Sequence, residues 1–291
     1  MNRWRAGIAS APILIALAYP ALAADAPHRK AYIDGPWGQI NVRVVGREGD
    51  PTVVLVHQMT WSSVQNVHAQ DELATRGVRS IAVDIPGYGN SDGPDKPPTA
   101  EQYADALLPV LDAFKLQRAI LLGTNTGSTL ITALADRHAA RVDRLILEGL
   151  TVWDAPTRRQ LIEAPHFDQT PKADGSHLMA RWNEIRNTAK DRLSLAAVQT
   201  SVMQFFNAGP REWYAHEAVF RVDLAPIVKR VKAPIAVLTY PGQPLYETSL
   251  AAKKIRSDID IVVLNDVGPS MTPSYDYPQP WAEAVAKLVK R

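Results

Sequence analysis

The stretch from residue 118 to residue 127, RAILLGTNTG, decides the fold because two different hydrophobic patterns meet in it. Residues 118–123 form a short, almost wholly apolar run, which is typical of a central strand covered on both faces. Residues 126–138 follow at once with apolar side chains at helical spacing. The chain therefore passes from a buried strand into a helix, which is the basic step of a sheet with helical crossovers.

The same alternation extends in both directions. A helix is predicted over residues 99–115, because Thr99 followed by Gln102 forms a capping box. This order of elements predicts an α/β fold with a mostly parallel, eight-stranded sheet flanked by helices, in which ligands bind beyond the carboxyl ends of the strands. The short apolar runs predict strands at 30–34, 39–46, 52–57, 79–85, 118–123, 144–148, 235–240 and 259–265.

The alternation stops between residues 151 and 223, where no strand-like run occurs. Helical patterns appear there at 175–187 and 193–207. We interpret residues 151–223 as a helical cap inserted into one domain, whose core is formed by residues 24–150 and 224–291. An independent second domain is the alternative, but the strand pattern resumes at residue 234 and favours the cap.

Three motifs make the sequence more specific. They are VVLVH at 53–57, VDIPGYGNS at 83–91 and LLGTNTG at 121–127. In order and spacing they resemble the α/β-hydrolase family, in particular its cap-bearing ester hydrolases, epoxide hydrolases and haloalkane dehalogenases. The resemblance extends from about residue 30 to the end of the chain. It implies an α/β-hydrolase fold whose site would hold a nucleophile, an acid and a histidine.

The nucleophile position departs from that family. Its Gly-x-Ser-x-Gly elbow lifts the central side chain clear of the backbone, and the central residue here is Asn125. A carboxamide has no ionisable proton, and its nitrogen lone pair is delocalised, so it is a very poor nucleophile. The usual first step of hydrolysis therefore lacks its reacting group.

The two other triad positions depart as well. The family's Gly-x-x-Asp-Pro segment corresponds to YPGQP at 240–244, which places Gln243 at the acid position. Its Gly-His pair corresponds to Gly268 and Pro269. A neutral glutamine cannot stabilise an imidazolium, and a proline side chain cannot move a proton.

One carboxylate remains at an alternative position. Glu148 ends the strand that follows the elbow, where certain haloalkane dehalogenases carry their acid. Two interpretations stay open: an alternative catalytic acid, or a glutamate held by a salt bridge or a helix cap.

The oxyanion donors of the family are backbone N–H groups, which depend on geometry more than on side-chain identity. The resemblance assigns them to Met59 and Thr126. Gln58 replaces the usual glycine of the His-Gly pair, so a side chain enters a place where the backbone normally passes closely.

No other reactive centre is evident in the sequence. His166, His177 and His216 lie in the predicted cap, where packing or solvent exposure is the commoner role of a histidine without a placed partner. The chain has no cysteine, no zinc-like spacing of His, Asp and Glu, and no Walker-type glycine loop. We therefore expect no metal and no cofactor.

Aromatic residues are frequent in the cap and its neighbouring loops. Core packing explains most such residues. A cap over a sheet also creates a cleft, and clefts lined by aromatic and aliphatic groups bind small apolar ligands. We expect Trp153 and Tyr214 to line such a site.

The first residues predict export. Arg3 and Arg5 precede an apolar run at 7–19 and a small-residue site ending at Ala23, which is the pattern of a secretory signal peptide over residues 1–23. A membrane anchor is the alternative, but the run is shorter than the roughly 20 residues that a spanning helix needs. We expect a periplasmic or secreted protein.

Cleavage after residue 23 would leave 30 basic and 30 acidic residues, so composition gives no electrostatic case for nucleic acid or an anionic membrane as partner. Two functions remain. The favoured one is a catalytically silent relative of the hydrolases that binds a small, mostly apolar molecule or a partner protein. The alternative is an enzyme of altered mechanism, such as a lyase, an isomerase or an atypical hydrolase, that uses the capped pocket and the oxyanion donors.

Overall fold

The computed structural model describes residues 27–291, so the predicted signal peptide lies outside the described residues. One eight-stranded sheet forms the centre of this part of the chain. Its strands are β1 (His28–Gly35), β2 (Gly38–Val45), β3 (Thr52–Val56), β4 (Arg79–Val83), β5 (Ala119–Thr124), β6 (Val142–Glu148), β7 (Ile235–Thr239) and β8 (Asp260–Val263).

The strands lie in the order β1-β2-β4-β3-β5-β6-β7-β8. β1 and β2 form an antiparallel hairpin, and β2 is also antiparallel to β4. All other neighbours are parallel. The central strands are continuous apolar runs because helices cover both faces of the sheet. The prediction of a mostly parallel, eight-stranded sheet is confirmed.

Helices pack on both faces, and each face has its own core. Trp281 and Leu55 are fully buried on one face, and Leu121 and Ile131 on the other. The helices are α1 (Val67–Thr75), α2 (Ala100–Ala106), α3 (Leu108–Ala113), α4 (Thr126–Arg137), α5 (Ala155–Ile162), α6 (Ser176–Ala189), α7 (Leu195–Ala208), α8 (Tyr214–Phe220), α9 (Leu224–Arg230), α10 (Tyr246–Leu250), α11 (Pro273–Asp276) and α12 (Pro278–Val289). In the part of the chain that the structure describes, no helix combines the length and hydrophobicity needed to cross a membrane.

The helix predicted over 99–115 is two helices, α2 and α3. Its predicted start is confirmed, because the Thr99 side chain accepts from the Gln102 N–H at 3.2 Å and the Gln102 side chain accepts from the Thr99 N–H at 2.9 Å. The break follows Ala106. Pro109 has no N–H with which to continue the hydrogen bonds of α2, and it is accommodated in the first turn of α3 instead.

The segment between β6 and β7 is helical and begins over the carboxyl edge of the sheet. Ile185 of α6 and Val198 of α7 form a small separate core with Trp61, which lies in the loop after β3. This contact fixes α6 and α7 to the loop that borders the elbow. The limits of the cap at residues 151 and 223 stay a prediction.

Candidate active site

Asn125 lies at the turn between β5 and α4, with φ 46° and ψ −104°. Residues other than glycine seldom adopt positive φ, so the turn holds Asn125 in an uncommon backbone conformation. The turn is tight: a Cβ on Gly123 would lie 2.4 Å from the Gly127 backbone, and one on Gly127 would lie 2.2 Å from the Val56 carbonyl oxygen. The glycines therefore permit a close backbone crossing, and side chain 125 stands at its tip.

The Asn125 carboxamide is hydrogen-bonded through its nitrogen and has no partner at its oxygen among the described residues. Its Nδ2 donates a short hydrogen bond to Gln58 Oε1. Its Oδ1 is occluded from solvent and has no hydrogen-bond partner within residues 27–291. The backbone N–H of Asn125 donates to the Glu148 carbonyl at 2.8 Å, which ties the turn to β6. Asn125 therefore offers an oxygen that can accept a hydrogen bond. Its amide nitrogen has no lone pair free to act as a nucleophile.

Gln243 meets Asn125 at Gly149. A Cβ on Gly149 would lie 2.3 Å from Asn125 Oδ1 and 3.1 Å from Gln243 Nε2, so both carboxamides contact the same glycine. Gln243 Oε1 accepts from the Thr239 hydroxyl at 2.6 Å, and its Nε2 is buried without a partner among the described residues. The structure thus brings Gln58, Asn125 and Gln243 together as a cluster of uncharged amides.

Pro269, at the predicted histidine position, does not join this cluster. It is exposed in the loop after β8 and is not part of the cavity wall described below. A Cβ on Gly242 would lie 3.9 Å from its Cα, so position 269 borders the loop that carries Gln243. Met271 is the residue of the Pro269 loop that reaches the cavity.

Glu148 is fully buried and lies outside the cavity wall. Its Oε2 accepts from the Thr124 hydroxyl at 3.0 Å and from Trp281 Nε1 at 3.1 Å. Its Oε1 has no partner in the described part of the chain. Burial raises the pKa of Glu148 to about 7, against the opposing effect of the two hydrogen bonds. Of the two interpretations from the sequence, the salt-bridged or helix-capping glutamate is not present among these contacts, and the alternative acid stays a prediction.

The predicted oxyanion donors both border the cavity. The Met59 N–H donates to the Thr126 hydroxyl at 3.5 Å, so a ligand oxygen would compete with that hydroxyl for it. Gln58 is anchored through its own N–H, which donates to Gln65 Oε1 at 3.0 Å. Its side chain extends from this anchor to Asn125, into the space that a glycine at position 58 would leave open.

A cavity of about 440 Å³ lies between these groups and the helices that connect β6 to β7. Trp153 is in its wall, as expected. Tyr214 is not, which corrects its predicted role: the α8 residues of the wall are His216, Val219 and Phe220, and position 214 points elsewhere on the helix. The Tyr214 hydroxyl donates instead to the Asp95 carbonyl at 3.4 Å.

Three charged residues of the cavity wall, Arg181, Glu184 and Glu212, were not found from the sequence. Arg181 of α6 has its guanidinium carbon 3.9 Å from the centroid of the Phe205 ring. Glu212 lies just before α8 and is only 5% exposed, and burial raises its pKa to about 7, although Arg181 opposes the shift. Glu212 lies four residues before His216 in the sequence. This spacing is the one local signal that could have linked Glu212 to a residue of the predicted cap.

The structure separates the histidines by role. His57 is a buried structural residue, because its Nδ1 donates to the Gln58 carbonyl at 2.9 Å and its Nε2 accepts from the Ile85 N–H at 3.0 Å. His166 and His216 border the cavity. Burial lowers the pKa of His216 to about 4, so its ring is neutral at neutral pH.

Comparison with known sequences agrees with this geometry. The family model described as the α/β hydrolase fold matches residues 51–209. The chain is 24% identical to 2-(acetamidomethylene)succinate hydrolase of Mesorhizobium japonicum, over 81% of this chain and 90% of that protein. It is 33% identical to the AB hydrolase superfamily protein YisY of Bacillus subtilis and 31% identical to a Pseudomonas 2-hydroxymuconate semialdehyde hydrolase. These two matches span only 36% and 46% of the relatives' lengths.

Solved structures show the same fold. A hydrolase from Pseudomonas aeruginosa superposes with a TM-score of 0.71 at 18% identity, covering 90% of this chain and 99% of that one. A thermophilic esterase from Thermogutta terrifontis superposes with a TM-score of 0.68 at 19% identity, covering 90% and 98%. With the family match, the sheet order and the strand-to-helix elbow in agreement, this chain belongs to the α/β-hydrolase family.

Proposed function

We propose that this protein binds a small, mostly apolar molecule in its cavity and does not hydrolyse substrates by the nucleophile, histidine and acid route of its family. The observation that carries the proposal is the state of the elbow. Asn125 stands at its tip as a carboxamide bonded to Gln58 and adjoining Gln243. All three side chains are uncharged amides.

The family route needs a group that attacks and a base that takes its proton. The amide nitrogen of Asn125 cannot attack, and position 269 is a proline outside the cavity wall. His216 borders the cavity, but with a pKa of about 4 it is a weak base at neutral pH. The hydrolase activities in the names of the relatives are therefore not carried over.

The cavity supports the binding part of the proposal. Its volume of about 440 Å³ lies within the range of roughly 300–1,000 Å³ that small-molecule sites occupy. Aromatic and aliphatic side chains dominate its wall, which favours an apolar body for the ligand. They include Trp61, Trp153, Phe205, Trp213, Phe220 and Met271.

An enzyme of altered mechanism is the second candidate, and Glu212 favours it. A carboxyl group with a pKa of about 7 at a cavity wall can take up and release a proton near neutral pH, as lyases and isomerases require. Such an enzyme would not depend on Asn125 as a nucleophile.

The test uses the mature protein purified without added ligand. It would be treated with a fluorophosphonate probe and a panel of aryl esters, epoxides and haloalkanes, and examined by native mass spectrometry. We expect no labelling, no turnover beyond that of Asn125→Ala, and a co-purifying small molecule. Asn187→Ala, at an exposed site of α6, is the matched control. Turnover lost in Asn125→Ala but kept in Asn187→Ala would refute the proposal.

We also propose that the protein is exported and cleaved after Ala23, on the basis of the pattern in residues 1–23. Intact-mass measurement of the periplasmic and cytoplasmic fractions of the producing cell tests this. The expected product begins at Ala24 in the periplasm or the medium. A full-length chain confined to the cytoplasm would contradict it.

A further inference from the structure

The cap end of the cavity is polar, in contrast to its aromatic walls. Arg181 of α6 and Glu212 before α8 both border this end. Neither residue belongs to the elbow or to the three amides beneath the cavity. Because charged groups are costly to bury, a pair of them in an apolar wall needs a compensating partner.

The Arg181 guanidinium has an N–H donor without a hydrogen-bond partner in the described part of the chain. One face of its guanidinium lies on the Phe205 ring at 3.9 Å, and its Nη1 donates to Glu184 Oε2 at 2.7 Å. Its Nε is occluded from solvent and has no hydrogen-bond partner within residues 27–291. A guanidinium carries five N–H donors in one plane, and a carboxylate is a ligand group that matches two of them at once.

Glu212 is only 5% exposed, and no described side chain or backbone group forms a hydrogen bond with its carboxyl group. The backbone of Glu212 is fixed, because its carbonyl accepts from the Tyr88 hydroxyl at 3.1 Å. The Glu212 carboxyl group can donate a hydrogen bond to the carboxylate of a ligand only when it is protonated. The resulting O–H···O⁻ bond is short and roughly twice as strong as a neutral one.

We propose that the ligand of this cavity is a carboxylic acid with an apolar body, whose carboxylate is held between the free Nε edge of Arg181 and the protonated carboxyl group of Glu212. The inference rests on the proposed function, because it names the polar end of the molecule bound in the same cavity. No bond to carbon changes. Below a pKa of about 7 Glu212 already carries its proton, and above it binding of the carboxylate takes up one proton from solvent, which Glu212 holds.

The other charged and titratable groups around Glu212 are compatible with this site. Arg181 and Glu184 face it from α6, His216 from α8, and His166 from the segment before α6. A cationic ligand would be repelled by the Arg181 guanidinium and would leave its Nε unpaired. An acid satisfies both the guanidinium and the Glu212 hydroxyl, which favours the acid.

The experiment compares three probes that share one apolar body: 4-phenylbutanoate, 4-phenylbutanamide and 4-phenylbutylamine. Equilibrium binding to the full mature protein is measured by calorimetry and by the fluorescence of the cavity tryptophans, at pH 6 and pH 8. We expect the acid to bind about tenfold to a hundredfold more tightly than the amide and the amine, as hydrogen bonds to charged groups imply. We also expect its affinity to fall by about tenfold per pH unit above a pKa of about 7, because Glu212 must then be protonated to bind.

Two pairs of variants test whether Arg181 causes the preference for the acid and whether Glu212 causes the pH dependence of binding. Arg181→Met should lose most of the preference for the acid, whereas Arg186→Met on the same helix should keep it. Glu212→Gln keeps an N–H donor without a titrating proton, so it should retain binding at pH 6 and lose the pH dependence. Glu217→Gln, whose parent is paired with Arg221 outside the cavity, should behave like the unmodified protein.

Tighter binding of the amine, equal binding of acid and amide, a flat pH profile, or no binding of any probe would each overturn the inference. The probe series and the pH profile of the unmodified protein stand even if a variant fails to fold. These outcomes concern equilibrium binding alone. The proposed function fails by a different result, namely turnover that depends on Asn125.

Discussion

Replacing Glu148 by Gln should remove a pH-dependent loss of stability. The carboxyl group is fully buried with a pKa of about 7 against an ordinary value of 4.5. Between these values the unfolded chain releases the proton while the folded chain keeps it, so the free energy of unfolding falls as pH rises through this window. The difference corresponds to about 3 kcal/mol. Glutamine keeps an oxygen that can accept from Thr124 and Trp281, and it cannot ionise.

The assay is urea unfolding of the mature protein and the variant at several pH values between 4.5 and 8, followed by tryptophan fluorescence. The stability of Glu148→Gln relative to the unmodified protein should increase by about 3 kcal/mol across this range and then level off. The titration of Glu212 is common to both proteins and cancels. Glu163→Gln, at an exposed site, is the control and should give parallel curves. Parallel curves for Glu148→Gln would show that the buried carboxyl group is not the source of the pH dependence.

Three further substitutions test the local structure by urea unfolding. Gly149→Ala should destabilise by about 1–3 kcal/mol more than Gly175→Ala, because both have positive φ but only position 149 would press a Cβ against Asn125; equal losses would contradict the contact. Thr99→Ala should cost about 1 kcal/mol through loss of the α2 cap, and an unchanged midpoint would mean that the cap contributes nothing. His57→Phe should cost about 1–3 kcal/mol because a buried backbone N–H and a carbonyl lose their partner, and a neutral effect would contradict its structural role.

The strands were predictable because burial on both faces leaves a continuous apolar run. The runs at 52–57 and 235–240 coincide with β3 (Thr52–Val56) and β7 (Ile235–Thr239) to within one residue at each end. The short helices α5 and α8 were not identified, because each has about two turns and its hydrophobic pattern is too brief to stand out. Their positions follow from packing on other helices, α5 on α8 and α8 on α2 and α4, rather than from local propensity.

The site residues near the elbow could be predicted from the sequence, and those at the other end of the cavity could not. Gln58, Asn125 and Thr126 belong to motifs whose order and spacing are visible in the sequence, and the structure brings them to one point. Arg181 and Glu212 come from separate parts of the helical segment between β6 and β7, and only the fold places them at one cavity. Two residues so far apart along the chain that line one cavity leave no local pattern that a single sequence can reveal.

The backbone of the elbow and the chemistry of the elbow depend on different residues. Its shape follows from Gly123 and Gly127, which allow two chain segments to cross, and from a residue at position 125 that accepts positive φ. None of these requirements involves a nucleophile. Asparagine meets the conformational requirement, so the hydrolase geometry persists with a side chain that has no proton to surrender. Membership of the family is therefore evidence for the fold, and the activity has to be argued from the side chains at positions 58, 125, 243 and 269.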